Sequence, residues 1–248
     1  MERHFYGIKP GVQMVGEDFS KLLPDEARAA VEELAIKYQK LPVEPSLDRE
    51  TGEILKEEAG TIVNIEKCIE RLFNAQENED VPLAIEMIYP QYSSADLARA
   101  TQTLGYFETY FSGSRERRTN ITMAATALNN LIIWPGQGFS FNEVVGPRTP
   151  ERGYLPAPVI ISGAMDLGFG GGVCQVSTTV YNAALSAQLK IIERHGHSKR
   201  VHYISAGRDA TVDYGHLDLK FMNNRKGPII IKSGVSGSRI WVRILGEE

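Results

Sequence analysis

Three consecutive glycines, Gly170 to Gly172, stand directly before a segment whose apolar residues recur at helical spacing. Glycine adopts positive φ and lets other backbone approach closely, so we expect the triplet to form a turn. The pattern predicts one helix from Cys174 to Leu189, beginning immediately after this turn. The thiol of Cys174 would then lie at a helix N-terminus, where unpaired N–H groups and the helix dipole lower the pKa of a cysteine.

The chain has five histidines, and four of them follow this helix: His195, His197, His202 and His216. A cysteine nucleophile needs a base, and on an extended segment His195 and His197 would point to the same face. We therefore predict Cys174 as a nucleophile, His195 or His197 as its base, and Asp209 or Asp218 as the carboxylate that orients the imidazole. The alternative is a buried, inert Cys174. No metal or other cofactor is expected, because the cysteine spacing does not match a zinc motif.

A second set of residues is predicted to bind a ligand. Arg148 and Arg208 each follow a glycine closely, and a guanidinium presents a planar fork to a carboxylate or phosphate. An Asp209–Arg208 pair that merely closes a turn is the alternative. The predicted ligand-binding residues are Gly171, Gly172, Gln175, Ser177, Arg148, Arg208, His202 and His216.

Charge divides the chain into two parts. Residues 1–104 hold 11 basic and 20 acidic residues, a net charge of −9, whereas residues 105–248 hold 16 and 11, a net charge of +5. We predict two domains with these boundaries. The positive charge is modest and lacks interleaved stacking aromatics, so nucleic-acid binding is not expected. An anionic wall polymer suits the same charge.

The first part has the pattern of a small α+β module, and the second is rich in short strands. Helices are predicted over 27–39, 65–75, 95–103 and 120–131, the second capped by Asn64. Among the strands predicted in the second part is 200–204. Cys68 lies on the apolar face of the second helix, which predicts a core position; a disulfide with Cys174 is the alternative.

Several long motifs in the second part closely resemble the VanW family. They occur in the family's order within residues 107–232: Phe139 to Arg148, Gly170 to Ala183, Glu193 to Ser198, and Gly207 to Val212. Gly196 stands where a proline is common in the family, which loosens the turn between the two histidines. The first part more weakly resembles a peptidoglycan-binding module, through residues 11–15, 23–27 and 60–65.

The resemblance implies an α+β protein of the bacterial cell envelope, with the Cys174 helix packed on an antiparallel sheet. The family is named for an accessory component of some vancomycin-resistance clusters. An extracytoplasmic location is expected, with any membrane attachment through an anchor that this chain does not include. The leading hypothesis is recognition of peptidoglycan or another anionic wall polymer. The alternatives are a thiol-dependent peptidoglycan amidase, peptidase or transpeptidase, and a non-catalytic envelope adaptor.

Overall fold

The computed structural model describes residues 5–161 and 164–247. The chain forms two compact units, one of Met1–Pro45 with Lys56–Ser93 and the other of Ser46–Leu55 with Ser94–Glu248. A short hairpin, residues 46–55, thus belongs to the second unit although it lies within the first unit's stretch of sequence. The domain boundary predicted after residue 104 remains a prediction about the sequence modules.

The first unit, with the hairpin between its parts, has short strands and two longer helices. In chain order the elements are β1 (Gln13–Met14), β2 (Glu17–Asp18), α1 (Pro24–Tyr38), β3 (Ser46–Leu47), β4 (Ile54–Leu55), β5 (Gly60–Val63), α2 (Ile65–Asn74), β6 (Asp80–Val81) and β7 (Ile85–Ile88). In this unit β1 pairs with β2 and β6, and β5 pairs with β7. The paired strands β3 and β4 form the hairpin of the second unit.

Cys68 is a core residue of the first unit, as its apolar helix face predicts. Its side chain is fully buried, and its Sγ accepts a hydrogen bond from the Ala84 N–H at 3.2 Å. Both Cys68 and Cys174 are free thiols. Asn64 caps α2 as predicted, because its side-chain oxygen accepts a hydrogen bond from Lys67 N.

The remaining elements build the second unit. They are α3 (Ser94–Arg99), β8 (Gln102–Tyr110), α4 (Arg115–Leu128), β9 (Leu131–Ile133), β10 (Gly138–Ser140), α5 (Phe141–Val145), a 3₁₀ turn (Pro150–Arg152), β11 (Pro156–Ile161), β12 (Ala164–Phe169), α6 (Val173–Ser186), β13 (Lys190–Glu193), β14 (Lys220–Met222), β15 (Ile229–Ser236) and β16 (Arg239–Gly246).

The centre of the second unit is an antiparallel sheet in the order β8-β16-β15-β9. Alternate residues of β16 (Ile240, Val242 and Ile244) are fully buried, so one face of the sheet forms the core. Helices α4 and α6 pack against this sheet. The predicted α+β class, with the cysteine-bearing helix packed on an antiparallel sheet, is confirmed.

Two sequence predictions are wrong at the level of elements. Residues 200–204 form bends instead of a strand. Val201 is buried in this segment but pairs with no strand. A hydrophobic pattern compatible with a strand therefore does not show that the segment has a strand partner. The helix expected through residue 103 ends at Arg99, since residues from 102 onward pair with β16. Among residues 5–161 and 164–247, no helix combines the length and apolar character needed to cross a bilayer.

Candidate functional site

The triple-glycine turn delivers Cys174 to the first turn of α6. Gly172 is the residue before the helix and has φ +108°, which favours glycine. A Cβ on Gly171 would lie 2.7 Å from the carbonyl oxygen of Pro158, and one on Gly172 would lie 2.7 Å from Cγ1 of Ile121. The two glycines, predicted to bind a ligand, are therefore placed against neighbouring protein atoms. They let the helix start pack closely on β11 and α4.

Cys174, His197 and Asp209 lie together as a series in which the histidine and the carboxylate are hydrogen-bonded. The Nδ1 of His197 lies 2.7 Å from Oδ2 of Asp209, and the His197 backbone N–H donates to the same oxygen at 2.6 Å. The imidazole lies near enough to the Cys174 thiol that each group shifts the pKa of the other, while the hydrogen-bonding atoms around Sγ are Thr211 Oγ1 at 3.6 Å and the Val212 carbonyl oxygen at 3.4 Å. Since Nδ1 is held by the carboxylate, Nε2 is the ring nitrogen available to sulfur. Cys174 itself is partly exposed.

Asp209 is held in place from two sides. Arg194 donates from Nη2 to Asp209 Oδ1 at 2.9 Å and from Nε to the Asp209 carbonyl oxygen at 2.6 Å. On the other side, the next residue is tied to α6: Ser177 Oγ donates to the Ala210 carbonyl, and Thr178 Oγ1 accepts from the Ala210 N–H at 2.9 Å. The helix that carries the thiol therefore also positions the segment that carries the carboxylate.

The site favours a thiolate–imidazolium pair. Burial raises the pKa of the Cys174 thiol, but hydrogen bonds with His197, the Val212 backbone and Thr211 outweigh it and bring the pKa below its ordinary value. Burial lowers the pKa of His197, while hydrogen bonds to Cys174 and Asp209 raise it and prevail. The two shifts have opposite directions, so the thiol ionises at a lower pH than an isolated thiol and the imidazole keeps its proton to a higher pH than an isolated imidazole.

Two guanidinium groups add positive charge around the sulfur. Arg117 donates to Gln175 Oε1 at 2.8 Å, and Arg148 donates to Asn142 Oδ1 at 2.7 Å. Burial lowers the pKa of both arginines, and the Cys174 thiolate is among the charges that oppose this and stabilise the guanidinium form. Nη2 of Arg148 is buried without a hydrogen-bond partner in the described part of the chain.

A cavity opens beside the histidine and the carboxylate. It has a volume of about 230 Å³ and is lined by residues 197–201, 204–207 and Asp209. The Tyr203 ring lies edge-on to the His197 ring, with centroids 6.5 Å apart. Burial, followed by the nearby thiolate, raises the pKa of the Tyr203 phenol far above its ordinary value, so the phenol stays neutral. The segment of residues 198–207 therefore forms one wall of this cavity, next to His197.

The other predicted catalytic residues lie with different partners. His195 Nε2 is 2.9 Å from Oε1 of Glu193, and the His195 backbone pairs with Thr211. Asp218 accepts hydrogen bonds from Ser140 Oγ at 2.5 Å and Asn142 N at 2.9 Å, so it supports the start of α5. Of the alternatives left open by the sequence, the structure thus brings together His197 and Asp209 with Cys174.

Most predicted ligand-binding residues serve the scaffold. Gln175 is buried and donates from Nε2 to Thr109 Oγ1 and the Tyr110 carbonyl. Arg208 donates to Asn182 Oδ1 at 2.8 Å, and its guanidinium lies 5.3 Å from the centroid of the Phe107 ring. Its Asp209 neighbour pairs instead with Arg194. His202 and His216 are exposed.

Sequence reasoning gave no role to several residues that complete the site. They are Arg194, which holds Asp209, Thr211, whose Oγ1 lies 3.6 Å from the Cys174 sulfur, and Arg117 and Tyr203 near the thiol and base. The sequence does carry a signal for Arg194, since it is the cation between Glu193 and His195 in the histidine motif. Thr211 lies within the motif of residues 207–212 and Tyr203 is six residues after His197, whereas Arg117 comes from a distant part of the chain and carries no local signal. No cluster of three or more metal-ligand side chains occurs within residues 5–161 and 164–247.

Comparison with known proteins identifies the family. The family model described as VanW like protein matches residues 116–245, more than half of the chain. This chain belongs to the VanW-like family. The match contains all three residues of the Cys174–His197–Asp209 series.

Two curated proteins share this region. The uncharacterized protein YoaR of Bacillus subtilis (strain 168) is 42% identical over 163 residues, which cover 65% of this chain and 54% of YoaR. The vancomycin B-type resistance protein VanW of Enterococcus faecalis (strain ATCC 700802 / V583) is 34% identical over 114 residues, covering 42% of this chain and 40% of that protein. The matched region thus spans about half or less of each relative. No solved structure matches.

Proposed function

We propose that the second unit is a thiol-dependent enzyme that breaks or exchanges amide bonds, with Cys174 as nucleophile and His197 as general base and acid. The observation that carries this proposal is that the His197 imidazole, hydrogen-bonded to Asp209, lies near the Cys174 thiol and lowers its pKa. A nucleophile bonded to a base, which is in turn oriented by a third group, is the arrangement that activates a thiol. The geometry favours this over wall recognition as the role of this site.

In the first half of the proposed reaction, the Cys174 thiolate attacks the carbonyl carbon of the substrate and a C–S bond forms. The carbonyl electron pair moves to oxygen. When the tetrahedral intermediate collapses, the C–N bond breaks and the His197 imidazolium gives its proton to the departing amine. Asp209 keeps Nδ1 engaged, so that Nε2 transfers the proton.

In the second half, water or a second amine attacks the thioester. His197, now neutral, takes the proton of the attacking group, and the C–S bond breaks to regenerate the thiolate–imidazolium pair. Water gives hydrolysis, whereas an amine gives transpeptidation. In the first turn of α6 the Val173 and Gln175 N–H groups donate to the Gly170 and Gly172 carbonyls, and the Cys174 N–H would stabilise the oxyanion.

The proposed substrates are the peptide stems of peptidoglycan, outside the cytoplasmic membrane. The support is that one relative is named as a vancomycin resistance protein, and vancomycin acts on the bacterial wall. The positive surroundings of the thiol, from Arg117 and Arg148, suit a substrate that carries carboxylates.

The test is digestion of purified muropeptides, followed by mass spectrometry. We expect the chain to release or exchange amino acids of the stem, and we expect Cys174→Ala to abolish this. Because Cys174 is partly exposed and lies on the first turn, the variant should unfold within a few degrees of the parent. His195→Gln is the matched control and should keep activity. Full activity in the Cys174→Ala variant would overturn the proposal.

A further inference from the structure

The outer face of the four-stranded sheet carries an ordered set of aromatic and basic residues. Strand register places Tyr106 opposite Arg243 and Glu108 opposite Trp241. On the other side of β16, Lys232 is opposite Arg243, and Gly234 is opposite Trp241. Their sequence neighbours on β16 are buried, so this set lies on the face away from α4 and α6.

Trp241 lies flat on this face. A Cβ on Gly234 would be 2.9 to 3.2 Å from three atoms of the indole, so the ring covers the glycine and packs against the sheet. Trp241 is partly exposed. Gly234 is required here because any side chain would displace the ring. The result is a flat aromatic platform.

Positive charge surrounds this platform. Glu108 is its one acidic neighbour in the register, and it is already bonded by the hydroxyl groups of Tyr106 and Tyr110 and by Arg239 at 3.3 Å. Arg243 lies 5.6 Å from the centroid of the Tyr106 ring, and no carboxylate in residues 5–161 or 164–247 pairs with it. Lys232 contacts an amide oxygen, that of Asn130. The face therefore has cationic groups left to bind an anion.

A groove with a volume of about 410 Å³ runs over these residues, and its lining includes Tyr106, Lys232, Arg239, Trp241 and Arg243. This volume lies in the range of small-ligand sites. We propose that this groove binds a polysaccharide strand that carries carboxylate groups, with one sugar ring stacked on Trp241 and a carboxylate paired with Arg243. The site is separate from the thiol site and does not depend on the proposed reaction.

The chemistry selects this ligand. The C–H groups on one face of a pyranose ring pack well on an aromatic face, which carries partial negative charge. A guanidinium binds a carboxylate through two parallel hydrogen bonds. On β16, Arg243 is two residues from Trp241, about 7 Å along the strand, so a sugar and its own acidic substituent can reach both.

The test measures binding of an oligosaccharide of alternating N-acetylglucosamine and N-acetylmuramic acid without peptides. The comparison ligand is an N-acetylglucosamine oligosaccharide of equal length, which lacks carboxylates. We expect the acidic oligosaccharide to bind at least about tenfold more tightly, and to lose this advantage at high salt. The chain has only two tryptophans, so Trp134→Phe should retain a ligand-induced fluorescence change that Trp241→Phe loses.

Single-residue variants distinguish a loss of ligand binding from a loss of folding. Arg243→Gln touches no buried group and should weaken binding about three- to tenfold. Arg115→Gln removes the same charge from an exposed position at the start of α4 and should have no effect. Trp241→Ala should weaken binding at least about tenfold, and its thermal unfolding is measured alongside. Cys174→Ala should bind like the parent.

Three results would overturn the inference. One is equal affinity for the acidic and the uncharged oligosaccharide. Another is unchanged affinity in Arg243→Gln and in a folded Trp241→Ala protein. The third is tighter binding of a polyol phosphate polymer than of the acidic oligosaccharide, because this would assign the groove to a different polymer. None of these results bears on amide-bond cleavage by Cys174.

Discussion

Two histidine–carboxylate pairs, whose histidines are two residues apart in the chain, have different surroundings. His197 and Asp209 are nearly buried and contact the Cys174 thiol and the Arg194 guanidinium. His195 and Glu193 are more exposed, and Glu193 also pairs with Lys220 at 2.9 Å. The same pair of side-chain types is therefore placed once against a nucleophile and once at the surface.

The difference shows which surroundings allow a histidine–carboxylate pair to act as a catalytic base. Strand β13 ends at Glu193 and His197 lies outside any strand, and the two imidazoles bond to different carboxylates, Glu193 for His195 and Asp209 for His197. A buried pair with a fixed partner orients an imidazole, whereas an exposed ion pair is screened by water and contributes little. The predictions below contrast the two pairs.

Removing each imidazole gives the largest expected contrast. We expect His197→Gln to lower the rate of muropeptide processing at least about 100-fold, because the base and proton donor is lost. His195→Gln should keep the rate within about twofold. The measurement is the initial rate under identical conditions, with thermal unfolding recorded for both. Equal losses in the two variants would contradict the assignment.

Loss of the orienting carboxylate should have an intermediate effect. Asp209→Asn removes the charge that stabilises the imidazolium, and we expect a loss in kcat of about 10- to 100-fold with little change in KM. The matched variant Glu193→Gln should leave kcat unchanged. In the Asp209→Asn protein, a shift of the alkaline limb of the kcat profile to lower pH would support a lowered His197 pKa, while a loss confined to KM would argue for substrate contact instead.

The thiolate–imidazolium pair predicts how alkylation depends on pH. The pKa of Cys174 is lowered, so below the ordinary thiol pKa of about 8.5 iodoacetamide should modify Cys174 faster than it modifies an unperturbed cysteine, and pH 6.5 is a suitable point for the comparison. In His197→Gln the thiol pKa rises, and the rate at pH 6.5 should fall about tenfold. Cys68 is fully buried and serves as the internal control. A rate that rises only above pH 8 in the parent would contradict the pair.

The smallest effect concerns the exposed pair. Hydrogen bonds with Lys220 and His195 lower the pKa of Glu193 from 4.5 to about 2. A carboxylate with a depressed pKa in the folded state stabilises the fold above its unfolded pKa, and this contribution is lost as pH falls through about 2. The stability difference between the parent and Glu193→Gln should therefore shrink over this interval. A difference that stays constant as the pH falls would show that Glu193 acts through packing.

Local patterns in the sequence predicted several helices of the second unit. The Cys174 helix begins within one residue of its predicted start, because a glycine turn followed by apolar periodicity is a local signal. The helix predicted over 120–131 is found as Arg115–Leu128, shifted toward its Ser114 cap. Strands were harder: residues 200–204 alternate suitably but have no partner, and pairing is a property of distant segments.

The sequence by itself predicted a thiol at a helix start, a group of histidines after that helix, and two candidate carboxylates. It could do so because a helix start and a histidine motif are each encoded within a few residues. Which histidine serves the thiol, and which carboxylate serves that histidine, was decided only by tertiary structure. Asp209 reaches His197 because Ser177 and Thr178 hold the next residue against α6, while Asp218 is taken up by α5. Hydrogen bonds between segments more than 30 residues apart leave no periodic trace in the chain.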